Sequence, residues 1–231
     1  MQFVIPASPP VTLPVVGSDA VFPVRRVYCV GRNYVDHAIE MGGTGREPPF
    51  FFMKPGDAVL PVPYGTLVDL PYPAMTADFQ YELELVVAIG KGGDNIAAAD
   101  AMEHVWGYAI GLDMTRRDLQ AEAKSLRRPW DTGKAFEHSA PIGPVHPASA
   151  VGAPGARTIE LKVNGEVRQH STVDKLIWRI DEMIEYLSRY FTLQPGDLIL
   201  TGTPAGVAAV ARGDVMEGSV EGLGTLQLKV V

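Results

Sequence analysis

Glu82 and Glu84 stand two residues apart in the run Phe79 to Ile89, whose odd positions Phe79, Tyr81, Leu83, Leu85, Val87 and Ile89 are all apolar. An extended backbone there turns both carboxylates to the opposite face, with Cα atoms about 6.7 Å apart. At an effective dielectric of 20, two charges about 6 Å apart repel by roughly 3 kcal/mol, so a covered pair needs a cation or a proton. Facing solvent, the same residues form a polar stripe with Gln80. Asp113 follows the apolar run Val105 to Leu112 and precedes a helical segment carrying Arg117 and Gln120. Those two are i,i+3 neighbours and can face whatever Asp113 faces. A third carboxylate at a strand end completes an all-oxygen site of the kind Mg2+ or Mn2+ prefers; alone, Asp113 reads as a turn residue or an N-terminal helix charge.

His37 and Glu40 are also i,i+3, in a segment 34–41 that reads as two helical turns stopped by Gly42-Gly43. A carboxylate beside an imidazole orients it and raises its basicity, which suits a base acting on water, although an exposed polar pair has the same spacing. Lys134, in Asp131-Thr-Gly-Lys-Ala-Phe136, either stabilises an oxyanion or is a solvated loop lysine. Thr201-Gly-Thr-Pro-Ala-Gly206 is a turn whose free N–H groups suit a carboxylate. Cys29, on an apolar strand, reads as a small core residue. The chain has no Gly-x-Ser-x-Gly elbow, phosphate-binding Gly-x-x-x-x-Gly-Lys loop, complete Gly-x-Gly-x-x-Gly or His-Glu-x-x-His.

The elements that must position these groups are short. In 231 residues, 46% are apolar and 20% charged, enough for a core, while 24 Gly and 19 Pro favour many strands joined by turns. A strand is expected at Val27–Val30, a short helix over 96–104, and a helix from Thr115 to about Leu126, where Thr115-Arg-Arg-Asp118 fits a capping box. Asn164-Gly165 between two alternating runs predicts a hairpin. Leu176, Ile177, Ile180, Met183, Ile184, Leu187 and Phe191 predict an amphipathic helix over 172–191. The fold class is strand-rich α+β. Residues 1–24, with five prolines, read as an extended N-terminal segment or small subdomain, and residues 25–231 as the catalytic domain. One cysteine excludes an internal disulfide and a cysteine zinc cage. A net charge of −7 argues against nucleic acid as a partner. No apolar run reaches the roughly 18 residues of a membrane span, and no basic segment precedes an apolar stretch at the N-terminus, so the cytoplasm is the expected location.

Six ordered segments make the chain resemble the fumarylacetoacetate hydrolase family. They are Tyr28-Cys-Val-Gly-Arg-Asn-Tyr-Val-Asp-His-Ala-Ile-Glu40, Phe52-Met-Lys-Pro55, Tyr81-Glu-Leu-Glu-Leu85, Gly111-Leu-Asp-Met-Thr-Arg-Arg-Asp-Leu-Gln120, Gly133-Lys-Ala-Phe136 and Leu200-Thr-Gly-Thr-Pro-Ala-Gly206. Within the family, Arg25-Arg-Val-Tyr-Cys29 and Arg46-Glu-Pro-Pro-Phe-Phe-Phe52 resemble the short bacterial fumarylpyruvate hydrolases, with acylpyruvases next. The resemblance implies a mixed β-roll, a homodimer and hydrolysis of a C–C bond in a small 2,4-diketo acid. It implies metal ligation by Glu82, Glu84 and Asp113. It makes His37 with Glu40 the water-activating dyad on a lid helix. It puts Lys134, Arg117 and Gln120 at the substrate or developing oxyanion, and Thr203 at the substrate. The longer animal-type hydrolases carry a fourth acidic ligand where this chain has Val30, so a three-carboxylate site is expected, favouring Mg2+ or Mn2+ over Ca2+. The same parts suit oxaloacetate decarboxylation or dienedioate isomerisation, and a non-catalytic ligand-binding member is the alternative of another class. The distal carboxylate of a fumaryl arm needs a cation, for which Arg32, Arg46, Arg127 and Arg128 are candidates.

Overall fold

The segments Leu83–Ile89 and Val105–Leu112, apolar but for Glu84, leave little polar face to give to solvent and form neighbouring strands in the middle of a sheet. A computed structural model of the chain describes residues 3–35 and 46–231. His37 and Glu40 lie outside the described residues. From the N-terminus the elements run β1 (Thr12–Pro14), β2 (Val21–Pro23), β3 (Arg26–Gly31), β4 (Phe50–Pro55), β5 (Val59–Pro61), β6 (Leu67–Leu70), β7 (Phe79–Gln80), β8 (Leu83–Ile89), β9 (Val105–Leu112), β10 (Thr115–Arg116), α1 (Arg117–Ser125), α2 (Asp131–Lys134), β11 (Ala140–Ile142), β12 (His146–Pro147), α3 (Ala148–Val151), β13 (Thr158–Val163), β14 (Glu166–Thr172), α4 (Ile180–Tyr190), β15 (Leu198–Leu200), β16 (Val215–Val220) and β17 (Gly224–Val230).

The larger sheet has the order β4-β3-β15-β8-β9-β11-β5, with β12 on β9; β15 is parallel to β3 and β11 to β5, so the sheet is mixed. The second sheet has the order β14-β13-β16-β17-β6. The strand-rich α+β class expected from composition is the one observed. Alternation along β8 divides the core: Leu83, Leu85, Val87 and Ile89 join the main cluster with Leu161, Met216 and Leu228, while Val86 and Ala88 join a second one with Leu13, Phe22, Val27 and Leu200. Leu13 and Phe22 come from the antiparallel pair β1–β2. Among the described residues, no helix is long and apolar enough to cross a membrane.

Asn164 and Gly165 both adopt positive φ, 52° and 81°, the two-residue turn that joins β13 to β14. Three expected spans are corrected. The helix over 172–191 is α4 alone, from Ile180. Upstream, the Asn33 side chain clamps Trp178: Oδ1 accepts from the Trp178 N–H at 2.7 Å and Nδ2 donates to the Trp178 carbonyl at 3.0 Å. That tertiary clamp overrides helix propensity, and α4 begins one residue after Arg179, whose N–H donates to Glu182 at 2.9 Å. The helix expected at Thr115 begins at Arg117, because Thr115 and Arg116 pair with β7. Asp118 does not cap Thr115; its carboxylate accepts from the Thr76 hydroxyl at 2.6 Å and the Ala77 N–H at 2.9 Å. Over 96–104, a single 3-10 turn forms at Ala101–His104.

Candidate metal centre

The register of β8 against β9 assembles the acidic residues. Glu84 faces Gly111 and Leu83 faces Leu112, so Asp113, one residue past β9, comes level with Glu82. The Asp113 N–H donates to the Glu82 carbonyl at 2.8 Å. One carboxylate oxygen from each of Glu82, Glu84 and Asp113 lies within 4.8 Å of the others. The solvent-facing stripe is excluded: Glu82 is 6% exposed, Glu84 2% and Asp113 1%. The run Phe79–Ile89 is also not one strand, since it breaks at Tyr81-Glu82 between β7 and β8.

Buried carboxylates need compensation, and two of the three have cations. Lys134 is not in a solvated loop; it ends α2 and is 2% exposed. Its Nζ donates to Glu82 Oε2 at 2.8 Å, Asp113 Oδ2 at 2.7 Å and the Thr115 hydroxyl at 2.7 Å. Burial works against this ammonium, yet Asp113 and Glu82 outweigh it and hold its pKa above the ordinary value. Arg117 donates through Nη2 to Glu82, through Nε to Gln80 at 2.8 Å and through Nη1 to Gln120 at 2.7 Å. Glu84 is different. Its Oε2 accepts from the Gly202 N–H at 2.6 Å, and it makes no ion pair among the described residues. Burial, then Asp113 and Glu82, pushes its pKa well above the ordinary carboxylate range. Gly202 must be glycine to deliver that N–H, because its φ is 99° and a Cβ would come 2.6 Å from the Asn33 Cβ.

Three all-oxygen donor groups in one buried pocket, one of them making no ion pair among the described residues, fit a hard divalent ion of the Mg2+ or Mn2+ kind. Thr203, from the turn after β15, lines the same cavity, as do Val30, Arg117, Gln120 and Lys134. The structure thus brings together every expected site residue that it describes.

Three contributors were not singled out from the sequence. Lys54, 0% exposed on β4, lies 2.8 Å from Asp113 Oδ1, an ion pair without good hydrogen-bond alignment. It also donates to the carbonyls of Met114, at 3.2 Å, and Lys134. Its signal was a lysine on the same strand face as Phe52, inside an aromatic run. Gln169, buried on β14, accepts from the Leu83 N–H at 3.0 Å and donates to the Thr203 hydroxyl and the Pro204 carbonyl, both at 2.8 Å. It ties the Gly-Thr-Pro turn to β8. The third, Lys124, lines the cavity seven residues beyond Arg117 on α1, a spacing that keeps a helix face.

A family model described as fumarylacetoacetate (FAA) hydrolase C-terminal matches residues 26–231. The fold is similar to a crystal structure of fumarylpyruvate hydrolase from Pseudomonas aeruginosa in complex with Mn2+ and pyruvate. It is 57% identical, with a TM-score of 0.98, covering 100% of this chain and 99% of that one. A fumarylpyruvate hydrolase of a Ralstonia species is 47% identical over 80% of this chain and 93% of its own length. A mitochondrial oxaloacetate tautomerase of Rattus norvegicus is 41% identical over 89% of this chain and 91% of its own length.

Proposed function

The chain belongs to the fumarylacetoacetate hydrolase family, and from that premise we propose that it hydrolyses the C3–C4 bond of a 2,4-diketo acid, fumarylpyruvate, to fumarate and pyruvate. The observation that carries this reading is the convergence of Glu82, Glu84 and Asp113 in one buried pocket that Arg117, Gln120, Lys134 and Thr203 also line. The Mn2+ and pyruvate in the similar Pseudomonas structure are the kind of ion and product this reaction requires.

Glu82, Glu84 and Asp113 hold the ion. When bound, Mg2+ or Mn2+ supplies Lewis acidity, polarising the 2-oxo group and favouring negative charge on the pyruvyl side. Thr203 binds the substrate through a turn that Gln169 fixes. Arg117 aims Gln120 by its 2.7 Å hydrogen bond and holds Glu82 in place. His37, oriented by Glu40, takes a proton from the water that attacks C4. Lys134 and Gln120 stabilise the oxyanion that forms there. Collapse of that oxyanion breaks C3–C4. The electron pair leaves with the pyruvyl fragment as an enolate, which takes a proton at C3, and the C4 fragment departs as fumarate. No serine or cysteine nucleophile is needed, which agrees with Cys29 being buried, with its thiol pKa pushed up by burial. The same proposal has the protein acting as a cytoplasmic homodimer, an assembly that light scattering tests.

A second reading, action on oxaloacetate, is favoured by the identity to the rat tautomerase, since that substrate reacts through the same kind of enolate. Fumarylpyruvate, acetylpyruvate and oxaloacetate assayed side by side separate the two. The expected result is loss of diketo-acid absorbance, fastest with fumarylpyruvate, that EDTA abolishes and Mn2+ restores. Turnover of oxaloacetate alone favours the second reading.

A further inference from the structure

The cavity has a second charged end. Lys124 and Arg32 both line it, and neither side chain makes a hydrogen bond or ion pair among the described residues. Arg46, by contrast, is engaged with Glu182 and lies 4.3 Å above the Trp178 ring, and Arg128 lines a neighbouring groove outside the acid-lined cavity. Arg32 holds a φ of 55°, uncommon for a residue with a side chain.

A continuous wall joins the two ends. Lys134 Nζ is 5.1 Å from the centre of the Phe52 ring, Phe52 packs against Trp130 at 5.7 Å, Phe50 meets Trp130 edge-on at 5.6 Å, and Lys124 Nζ lies 4.9 Å from the Trp130 ring. Arg117, Gln120 and Lys124 share one face of α1, and at 1.5 Å per residue Lys124 stands about 10 Å beyond Arg117. An extended seven-carbon diacid, at ~1.2 Å of advance per bond, spans roughly 7 Å between its terminal carbons, which fits this separation once side chains reach inward. Burial first, and then Arg117, Arg32 and Lys134, lowers the Lys124 pKa to about 8. Glu82 pulls the other way without prevailing, and crowded cations of this kind, with no ion pair among the described residues, gain most from an anionic ligand.

We propose that Lys124, with Arg32, forms a subsite for the second carboxylate of the substrate, with Phe50, Phe52 and Trp130 flanking its planar arm, so that the site selects dicarboxylates over monocarboxylic acylpyruvates. This rests on the cavity being the substrate site of the proposed reaction. The direct test is calorimetric titration of fumarate into Mn2+-supplemented wild-type, Lys124→Met, Lys124→Arg and Arg32→Gln proteins. Lys124→Met is expected to weaken fumarate about tenfold or more, Arg32→Gln by less, with Lys124→Arg recovering most of the affinity. Fumarate affinity within twofold of wild type in Lys124→Met overturns the subsite. Kinetically, the ratio of kcat/KM for fumarylpyruvate to that for acetylpyruvate is expected to fall about tenfold in Lys124→Met, mainly through KM; an unchanged ratio overturns the selectivity. If wild type cleaves neither substrate, the proposed reaction fails, and the fumarate titration still decides the subsite.

Discussion

Glu82 and Asp113, at one end of the cavity, each face two cations at ion-pair distance, whereas the Lys124 and Arg32 side chains at the other end make no ion pair among the described residues. The first arrangement is built by folding: Lys54, Lys134 and Arg117 come from three separate elements and are locked by carbonyl, hydroxyl and amide partners. Such a network sets side-chain positions before any ligand arrives, at the cost of burying charge. The second arrangement leaves cations half-buried and without an ion pair among the described residues, so its energy is realised on binding. One end is preorganised for chemistry; the other is poised for recognition.

Variants can break this contrast. His37→Ala is expected to lower kcat by about 10²- to 10⁴-fold while Mn2+ affinity stays near wild type; near-normal kcat excludes His37 as the base. Lys54→Met removes a fully buried ammonium from Asp113 and should destabilise the fold by about 3–5 kcal/mol in urea unfolding, the range for breaking one side of a buried pair. A loss under about 1 kcal/mol would mean that the acidic end is far better solvated than its burial indicates. Lys134→Ala is expected to reduce kcat by about 10²- to 10³-fold, with a smaller change in KM; an effect confined to KM makes Lys134 a ground-state binder. Asp118→Asn lies outside both ends and should cost less than about 1 kcal/mol, since the group is only half-buried. Although burial opposes it, bonds from Thr76, Ala77 and Leu119 hold the Asp118 pKa below its ordinary value. Its contribution is therefore complete above the unfolded pKa of about 3.9 and fades as pH falls through the lower folded value, where mutant and wild type should converge.

The acidic end was legible because its spacing is local. Glu82 and Glu84 follow strand alternation, Asp113 ends the neighbouring strand, and Asn164-Gly165 marks its turn without help from elsewhere. What escaped depends on distant partners. The start of α4 is set by Asn33, 145 residues from Trp178 in sequence, and Lys54 meets the Lys134 carbonyl across 80 residues. No periodicity reports such contacts. Among the four arginines proposed for the distal carboxylate, the structure separates Arg32 from Arg46 by what each already touches, and it adds Lys124, whose position on the Arg117 face of α1 was visible but whose lack of an ion pair among the described residues was not.

The central claim is that Glu82, Glu84 and Asp113 share one divalent ion on which turnover depends. Calorimetric titration of Mn2+ into wild type and Glu84→Gln tests it most directly, because Glu84 is the carboxylate with no ion pair of its own among the described residues. One ion per wild-type chain, lost in Glu84→Gln from a protein that still unfolds cooperatively, is the predicted result; equal stoichiometry and affinity in the two proteins would contradict it.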